Sequence, residues 1–347
     1  MNLFLRQRHS RYACLHPWWL VLLCAISVSA CQPAPPVQHS ERRPLMGTLV
    51  DITVEGPNEA VLVTATDAAF VEMSRLSDMM NHYNPDSVVS AVNREAGGKP
   101  VRVPPELMQV LLRAQDVSRR SGGAFDISVG GLRGWRFDPA QPRRPEAAQI
   151  RAQLPLVDYR NIVLDPTAGT AFLRRRGMRI DLGGIAKLYI LDAGMTVLKH
   201  HHVAHAMING GGDVAVMGTI RGRPWHVGIR DPQRPDQLYG VVEVTRGYVV
   251  SSGDYERFFL QDGHRYHHIL DPKTGYPTEG PHGVTLLCDD LDTVNGLSAA
   301  IMVLGDERGR RLLQQTSGLE GIIFQRDGTV WVSPGMTQRL RRVAPAT

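Results

Sequence analysis

Apolar residues recur at helical spacing from Ala60 to Met80, where Val63, Phe70, Met73, Leu76 and Met80 share one face. Pro105 to Arg120 repeats the pattern, with proline in its first turn and Ser121-Gly122-Gly123 just past its end. Leu45 to Val54 reads as a strand, and Arg136 to Pro145, rich in proline and arginine, as a surface loop. From Asn161 the period shortens. Ile162–Leu164, Thr170–Leu173 and Met178–Ile180 are strand candidates, followed by a helix from Gly184 to Lys199. Further strands are predicted at Ala206–Asn209, Val214–Met217, Trp225–Ile229, Leu238–Val244, Tyr248–Ser251, Arg257–Leu260, Tyr266–Leu270 and Val284–Leu287. Leu291–Leu304 and Glu307–Gln315 read as helices, and Gly321–Phe324 with Val330–Val332 as a hairpin. Runs of strands broken by a few helices predict an α+β fold, with mixed or antiparallel sheets packed against several helices.

The first residues carry a different pattern. Arg6, Arg8 and Arg11 precede the apolar run Trp18–Ala30, too short to span a bilayer comfortably, and Val28-Ser29-Ala30-Cys31 resembles a bacterial lipobox. Residues 1–30 therefore read as a lipoprotein signal peptide, Cys31 as the lipidation site, 31–43 as a flexible tether, and 44–347 as the folded domain. The expected location is the bacterial cell envelope, lipid-anchored to the membrane and facing the periplasm. Gln32, where inner-membrane retention uses Asp, favours the outer membrane.

Composition narrows the class. A 43% hydrophobic and 21% charged chain of 347 residues is globular in character. Of the net charge of +5, three come from the leader arginines, so no nucleic-acid partner is indicated. Cys14 and Cys24 leave with the leader and Cys31 takes lipid, so only Cys288 stays in the mature domain, which forms no internal disulfide.

The chemistry gathers in five strings. His267 and His268 sit on a short apolar run ending in Asp271-Pro272-Lys273-Thr274-Gly275, so strand alternation puts one ring inward and the other toward a cleft. Histidine is the side chain best suited to proton transfer near neutral pH. Asp181-Leu182-Gly183-Gly184 opens a helix carrying Lys187, a pattern that favours phosphate. Gly122-Gly123-Ala124-Phe125-Asp126 sets a carboxylate beside glycines, Asn209-Gly210-Gly211-Gly212-Asp213 follows a strand, and Ser251-Ser252-Gly253-Asp254-Tyr255 does the same. His200-His201-His202 with His205 reads as a polar helix end rather than a metal cluster. Each string alone has an ordinary reading as a cap or turn.

Together, and in this order, they resemble the FAD:protein FMN transferase (ApbE) family. The resemblance runs from about Pro44 to Val332 and includes Met46-Gly47-Thr48, Tyr83-Asn84-Pro85-Asp86-Ser87 with Asn93, and Trp135. It implies an ApbE-like, T-fold-like architecture. It also implies an enzyme that uses FAD with Mg²⁺, moves FMN onto a Thr or Ser of a flavin-accepting redox protein exposed to the periplasm, and releases AMP. By position, Met46, Tyr83, Ala124, Phe125, Asp126, Asp181, Lys187, His268 and Ile269 would line the FAD site, with Tyr83 stacked on the isoalloxazine. His267 and His268 are the candidate catalytic residues, one of them the base.

The metal position departs from the family pattern. The carbonyl of Gly184 is kept, but the family's Asp and Thr are Asn295 and Ala299, which weakens a site for a hard cation. Asp289, Asp290 and Asp292 are the nearby carboxylates that could compensate. Leu188 replaces the glycine that usually follows the family's lysine. Two alternatives follow: a non-catalytic FAD-binding or carrier lipoprotein, and an FAD pyrophosphate hydrolase giving FMN and AMP.

Overall fold

The computed structural model describes residues 35–343, so the signal segment and Cys31 lie outside the described residues. Eight strands form the central sheet: β1 Val37–Leu45, β2 Thr48–Gly56, β3 His205–Gly210, β4 Asp213–Met217, β5 Arg246–Gly253, β6 Gly283–Cys288, β7 Glu320–Phe324 and β8 Val330–Val332. They lie in the sheet in chain order, and every neighbouring pair is antiparallel.

Strand alternation divides the apolar residues between two layers. Ala215, Met217, Val250, Leu286, Cys288 and Ile323 join one core with helices α1 Glu59–Met80, α2 Pro105–Arg120 and α3 Ala186–His200. Their neighbours Val214, Val216, Val249, Leu287 and Ile322 join a second core under Trp225, Val227, Ile229, Val242 and Met336. That second layer is a three-stranded sheet of Trp225–Asp231, Arg234–Val244 and Leu340–Arg342. Both faces of the central sheet are thus buried along β4, β6 and β7, and Cys288 is a buried free thiol.

Several predicted elements change. Among the described residues the first strand starts at Val37, ahead of the start expected near Pro44: residues 37–43, expected to be tether, are part of β1, paired with β2 from Val37↔Gly56 to Leu45↔Thr48. An edge strand needs little apolar surface, and this one is pinned by polar bonds such as Arg42 Nη2 to Asp51 Oδ2 at 3.1 Å. The single strand expected at Leu45–Val54 is a hairpin, turning at Met46 and Gly47 with φ of 54° and 70°. Met178–Ile180 is not a strand. Its place in a ladder is taken by the buried Asn93 side chain, whose Oδ1 accepts from Ile180 N (2.7 Å) while its Nδ2 donates to Ile180 O (3.1 Å). The helix expected at Leu291–Leu304 breaks into α4 Leu291–Val294 and α5 Leu297–Leu304, because Gly296 takes a φ of 83°. α6 Asp306–Gln315 follows.

Candidate functional site

Register places three turns at one end of the sheet. These are the β1–β2 turn at Met46-Gly47, the β3–β4 turn at Gly211-Gly212, and the chain leaving β5 at Gly253 opposite Gly283 at the start of β6. The amino end of α3 reaches the same end.

Lys187, the second residue of α3, is not free. Its Nζ lies 2.9 Å from Asp213 Oδ2, and Asp213 Oδ1 accepts from Ser251 N at 3.2 Å. Asp213 is 6% exposed. The glycines before Asp213 are visible in the sequence, but the role of the aspartate is not, because its partner Lys187 is remote in the chain.

The loop leading into α3 is held from two sides. Asp181 Oδ1 accepts from Gly183 N (2.8 Å) and lies 3.4 Å from His82 Nδ1. Asp181 therefore closes a turn rather than capping the helix, whose N-cap residue is Ile185. Next to His82 stands Tyr83, 79% exposed, with ring centroids 3.9 Å apart at 38°. An exposed phenol ring at this edge offers a flat apolar face to a planar ligand.

Asp126 is committed internally. It caps a short 3₁₀ turn, with Oδ1 accepting from Ser128 N (2.8 Å) and Ser128 Oγ (2.6 Å) and Oδ2 from Tyr159 N (2.8 Å). Burial raises its pKa above the ordinary carboxylate value, against those hydrogen bonds. The structure thus gives this carboxylate a framework role in place of a free edge for a heterocycle. Ala124 and Phe125 beside it are buried, and the Phe125 ring packs where a Cβ on Gly184 would come within 3.0 Å of it. The same ring lies against Gly296.

Phe125 thereby joins the two segments expected to hold a metal. Between them, Asn295 Nδ2 donates to Ile185 O at 2.9 Å, and Asn295 is 2% exposed. The Gly184 carbonyl and Asn295 Oδ1 are neutral oxygens, and Ala299 is a half-buried methyl packed on the core. Nearby carboxylates are engaged: Asp289 by Arg246, Asp292 by Arg113, and Asp290 as cap of α4, accepting from Thr293 N at 2.8 Å. Among the described residues no group of three His, Cys, Asp or Glu converges as a metal site. Two neutral oxygens do not fit a resident Mg²⁺, which prefers charged oxygen ligands.

The two histidines separate as strand alternation requires. His267 ends the ribbon Phe258–Gln261/His264–His267 and is fully buried. Its Nε2 donates to Thr278 O at 2.9 Å and its Nδ1 accepts from Ile269 N at 3.4 Å. Burial lowers its pKa. Arg326 Nη2 donates to the same Thr278 carbonyl at 3.1 Å and lies 3.6 Å from the fully buried Asp254. Asp254 also accepts from Arg265 Nη1 at 2.9 Å and pairs with His282 at 2.9 Å. His267 is therefore part of a closed scaffold.

His268 is different. Its backbone N donates to Arg257 O at 3.1 Å, but its buried Nδ1 has no partner among the described residues. Burial first, then the neighbouring charges of Arg257 and Lys187, lower its pKa to about 3, so the ring is neutral at physiological pH. Arg257 itself is exposed and makes no ion pair with a described residue. Ile269 contributes its carbonyl to Thr278 N (2.9 Å), and Met46 packs against the core from the hairpin turn.

A model described as the ApbE family matches residues 46–323. The chain is 33% identical over 300 residues to a protein of Klebsiella pneumoniae (strain 342) named FAD:protein FMN transferase, covering 86% of this chain and 92% of that one. A protein of the same name from Treponema pallidum (strain Nichols) is 32% identical over 343 residues, with 92% and 94% covered. Among solved structures, an ApbE protein from Thermotoga maritima superposes with a TM-score of 0.81 at 30% identity, covering 88% of this chain and 100% of its own. The flavin transferase ApbE from Vibrio cholerae gives 0.77 at 27% identity, with 88% and 100% covered.

Proposed function

This chain belongs to the ApbE family, and from that premise we propose that it is a flavin transferase moving the FMN half of FAD onto a hydroxyl of a partner protein. The observation that carries the reading is His268, a neutral imidazole with a buried, unpartnered nitrogen beside two cationic side chains. A buried polar atom without a partner is costly, and such atoms gather where a ligand completes the bonding.

The hydroxyl oxygen of a Ser or Thr attacks the phosphorus on the FMN side of the pyrophosphate. A new P–O bond forms there, the bond to the bridging oxygen breaks, and AMP leaves with that oxygen and the electron pair. The hydroxyl proton passes to His268 Nδ1 as the new bond forms. His267 is unsuited to this, because both its ring nitrogens are occupied. Lys187 retains two N–H bonds after pairing with Asp213, and with Arg257 it faces the pyrophosphate charge. Tyr83 stacks on the isoalloxazine, and Asp181, whose Oδ2 accepts no hydrogen bond from a described residue, takes a polar edge of the cofactor.

The transfer chemistry of such an enzyme gains from a divalent cation neutralising the pyrophosphate, but the two neutral oxygens of Gly184 and Asn295 and the methyl of Ala299 do not fit one. The lipobox ending at Cys31 supports a lipid-anchored protein facing the periplasm, on the outer membrane by the residue at Gln32, with a redox protein as acceptor. Asn295 and Ala299 favour a second reading, an FAD carrier without transfer. Incubation with FAD and an acceptor flavinylated by one of the relatives, followed by in-gel flavin fluorescence, separates the two: a fluorescent acceptor band supports transfer, and its absence with FAD retained on this chain supports the carrier.

A further inference from the structure

We infer that Asp213 is a positioning residue for the transfer: it fixes the Lys187 ammonium at one point over the pyrophosphate and sets how fast FMN moves, not how tightly FAD binds. This rests on the reading above that Lys187 meets the FAD phosphates. The geometry is specific. Asp213 opens β4 straight after the Gly210-Gly211-Gly212 turn and pairs in register with Gly210. One carboxylate oxygen is tied to the backbone of β5 through Ser251 N (3.2 Å), and the other holds Lys187 Nζ (2.9 Å). The carboxylate is thus anchored to the sheet while the lysine stem, 28% exposed, crosses from α3 to meet it. A flexible four-carbon chain is held where a rigid element puts it, which is the arrangement that gives a charge value in a transition state.

The sign of the charge makes the inference testable. A carboxylate beside an anion site opposes anion binding, so a role in affinity alone would disfavour its presence. Asp213→Asn keeps the acceptor for Ser251 N and the volume of the side chain, removes the negative charge, and loosens the ammonium. FAD binding, followed by quenching of flavin fluorescence, is expected to stay equal or tighten. The rate at saturating FAD and acceptor is expected to fall about tenfold or more, the scale of a misplaced catalytic charge. Asp213→Glu keeps the charge but carries it one carbon further, and is expected to leave FAD binding unchanged while lowering the rate. It also serves if the Asn variant does not fold.

Weaker FAD binding in step with the rate, or an unchanged rate in both variants, overturns the inference. Lys187→Met separates this from the underlying reading. If that variant binds FAD as tightly as the wild type, Lys187 does not meet the phosphates, and the inference falls with its premise. If it binds FAD weakly while both Asp213 variants transfer at the wild-type rate, only the inference falls.

Discussion

Asn295 and Ile185 are joined by a 2.9 Å hydrogen bond from the side-chain amide to the backbone carbonyl, tying the break between α4 and α5 to the start of α3. A carboxylate at this position could not make that bond, because it has no proton to give a carbonyl. The amide does locally what a cation shared by the two segments would otherwise do. Asn295→Asp is therefore expected to cost about 1–3 kcal/mol in the presence of a chelator, since it turns a buried donor–acceptor pair into two facing acceptors. Millimolar Mg²⁺ is expected to restore part of this loss and to leave the wild-type melting temperature unmoved. Thermal melting of both proteins with and without Mg²⁺ checks it, and a wild type stabilised by Mg²⁺ as much as the variant would count against it.

The two histidines are expected to fail in different ways. His267→Leu removes the donor to Thr278 O and a fully buried, satisfied ring, and should lower stability by about 1–3 kcal/mol. Arg326 still serves that carbonyl, which limits the loss. His268→Ala removes an unpartnered nitrogen, so stability should change less, while transfer should fall by about a hundredfold or more if its ring takes the proton. Paired melts and rate measurements decide this, and a His267 variant that is stable but inactive would reverse the assignment.

Acid stability follows from the same ring. The folded pKa of His268 lies near 3, below the ordinary value of 6.5, so protons bind the unfolded chain first. Its contribution is complete above pH 6.5 and is lost as pH falls from there toward 3. His267 shifts in the same direction. Denaturant melts across this window should show His268→Gln losing less stability on acidification than the wild type. Equal slopes would mean that the ring titrates normally in the fold.

Asp126 offers a check on a residue that the family resemblance set against the flavin. Its two oxygens serve three donors, from Ser128 and Tyr159. Asp126→Ala should cost about 2 kcal/mol or more through the orphaned donors and the lost cap. Any loss of FAD affinity should disappear when binding is measured well below the melting transition. Weak FAD binding by a variant of wild-type stability would restore the direct contact.

The helices and inner strands were legible because burial on one or two faces writes a period into the sequence: Pro105–Arg120 matches its helix residue for residue, and alternation set the rings of His267 and His268 apart without saying which is inside; the structure buries His267. What stayed hidden depends on partners that a local pattern does not contain. The edge strand β1 carries Arg42 on its exposed face, while Arg43 on the other face covers the Phe70 ring and pairs with Asp67 of α1, so neither face reads as apolar. Met178–Ile180 has strand-like composition, yet its backbone bonds to the Asn93 side chain. The break at Gly296 interrupts an apolar run that reads as one helix. In the site, the types of residue were visible, whereas the pairing of Lys187 with Asp213 and the bond from Asn295 to Ile185 join segments distant in the chain.

Transfer of FMN as a covalent group changes the mass of the acceptor, and that mass is the decisive measurement. The protein, FAD and an acceptor flavinylated by a relative are incubated together, the acceptor is weighed intact by mass spectrometry, and released AMP is counted. The expected result is an acceptor heavier by one FMN less water, one AMP per adduct, and loss of both with His268→Ala. An acceptor of unchanged mass, whether FAD stays bound intact or appears as free FMN and AMP, would contradict it.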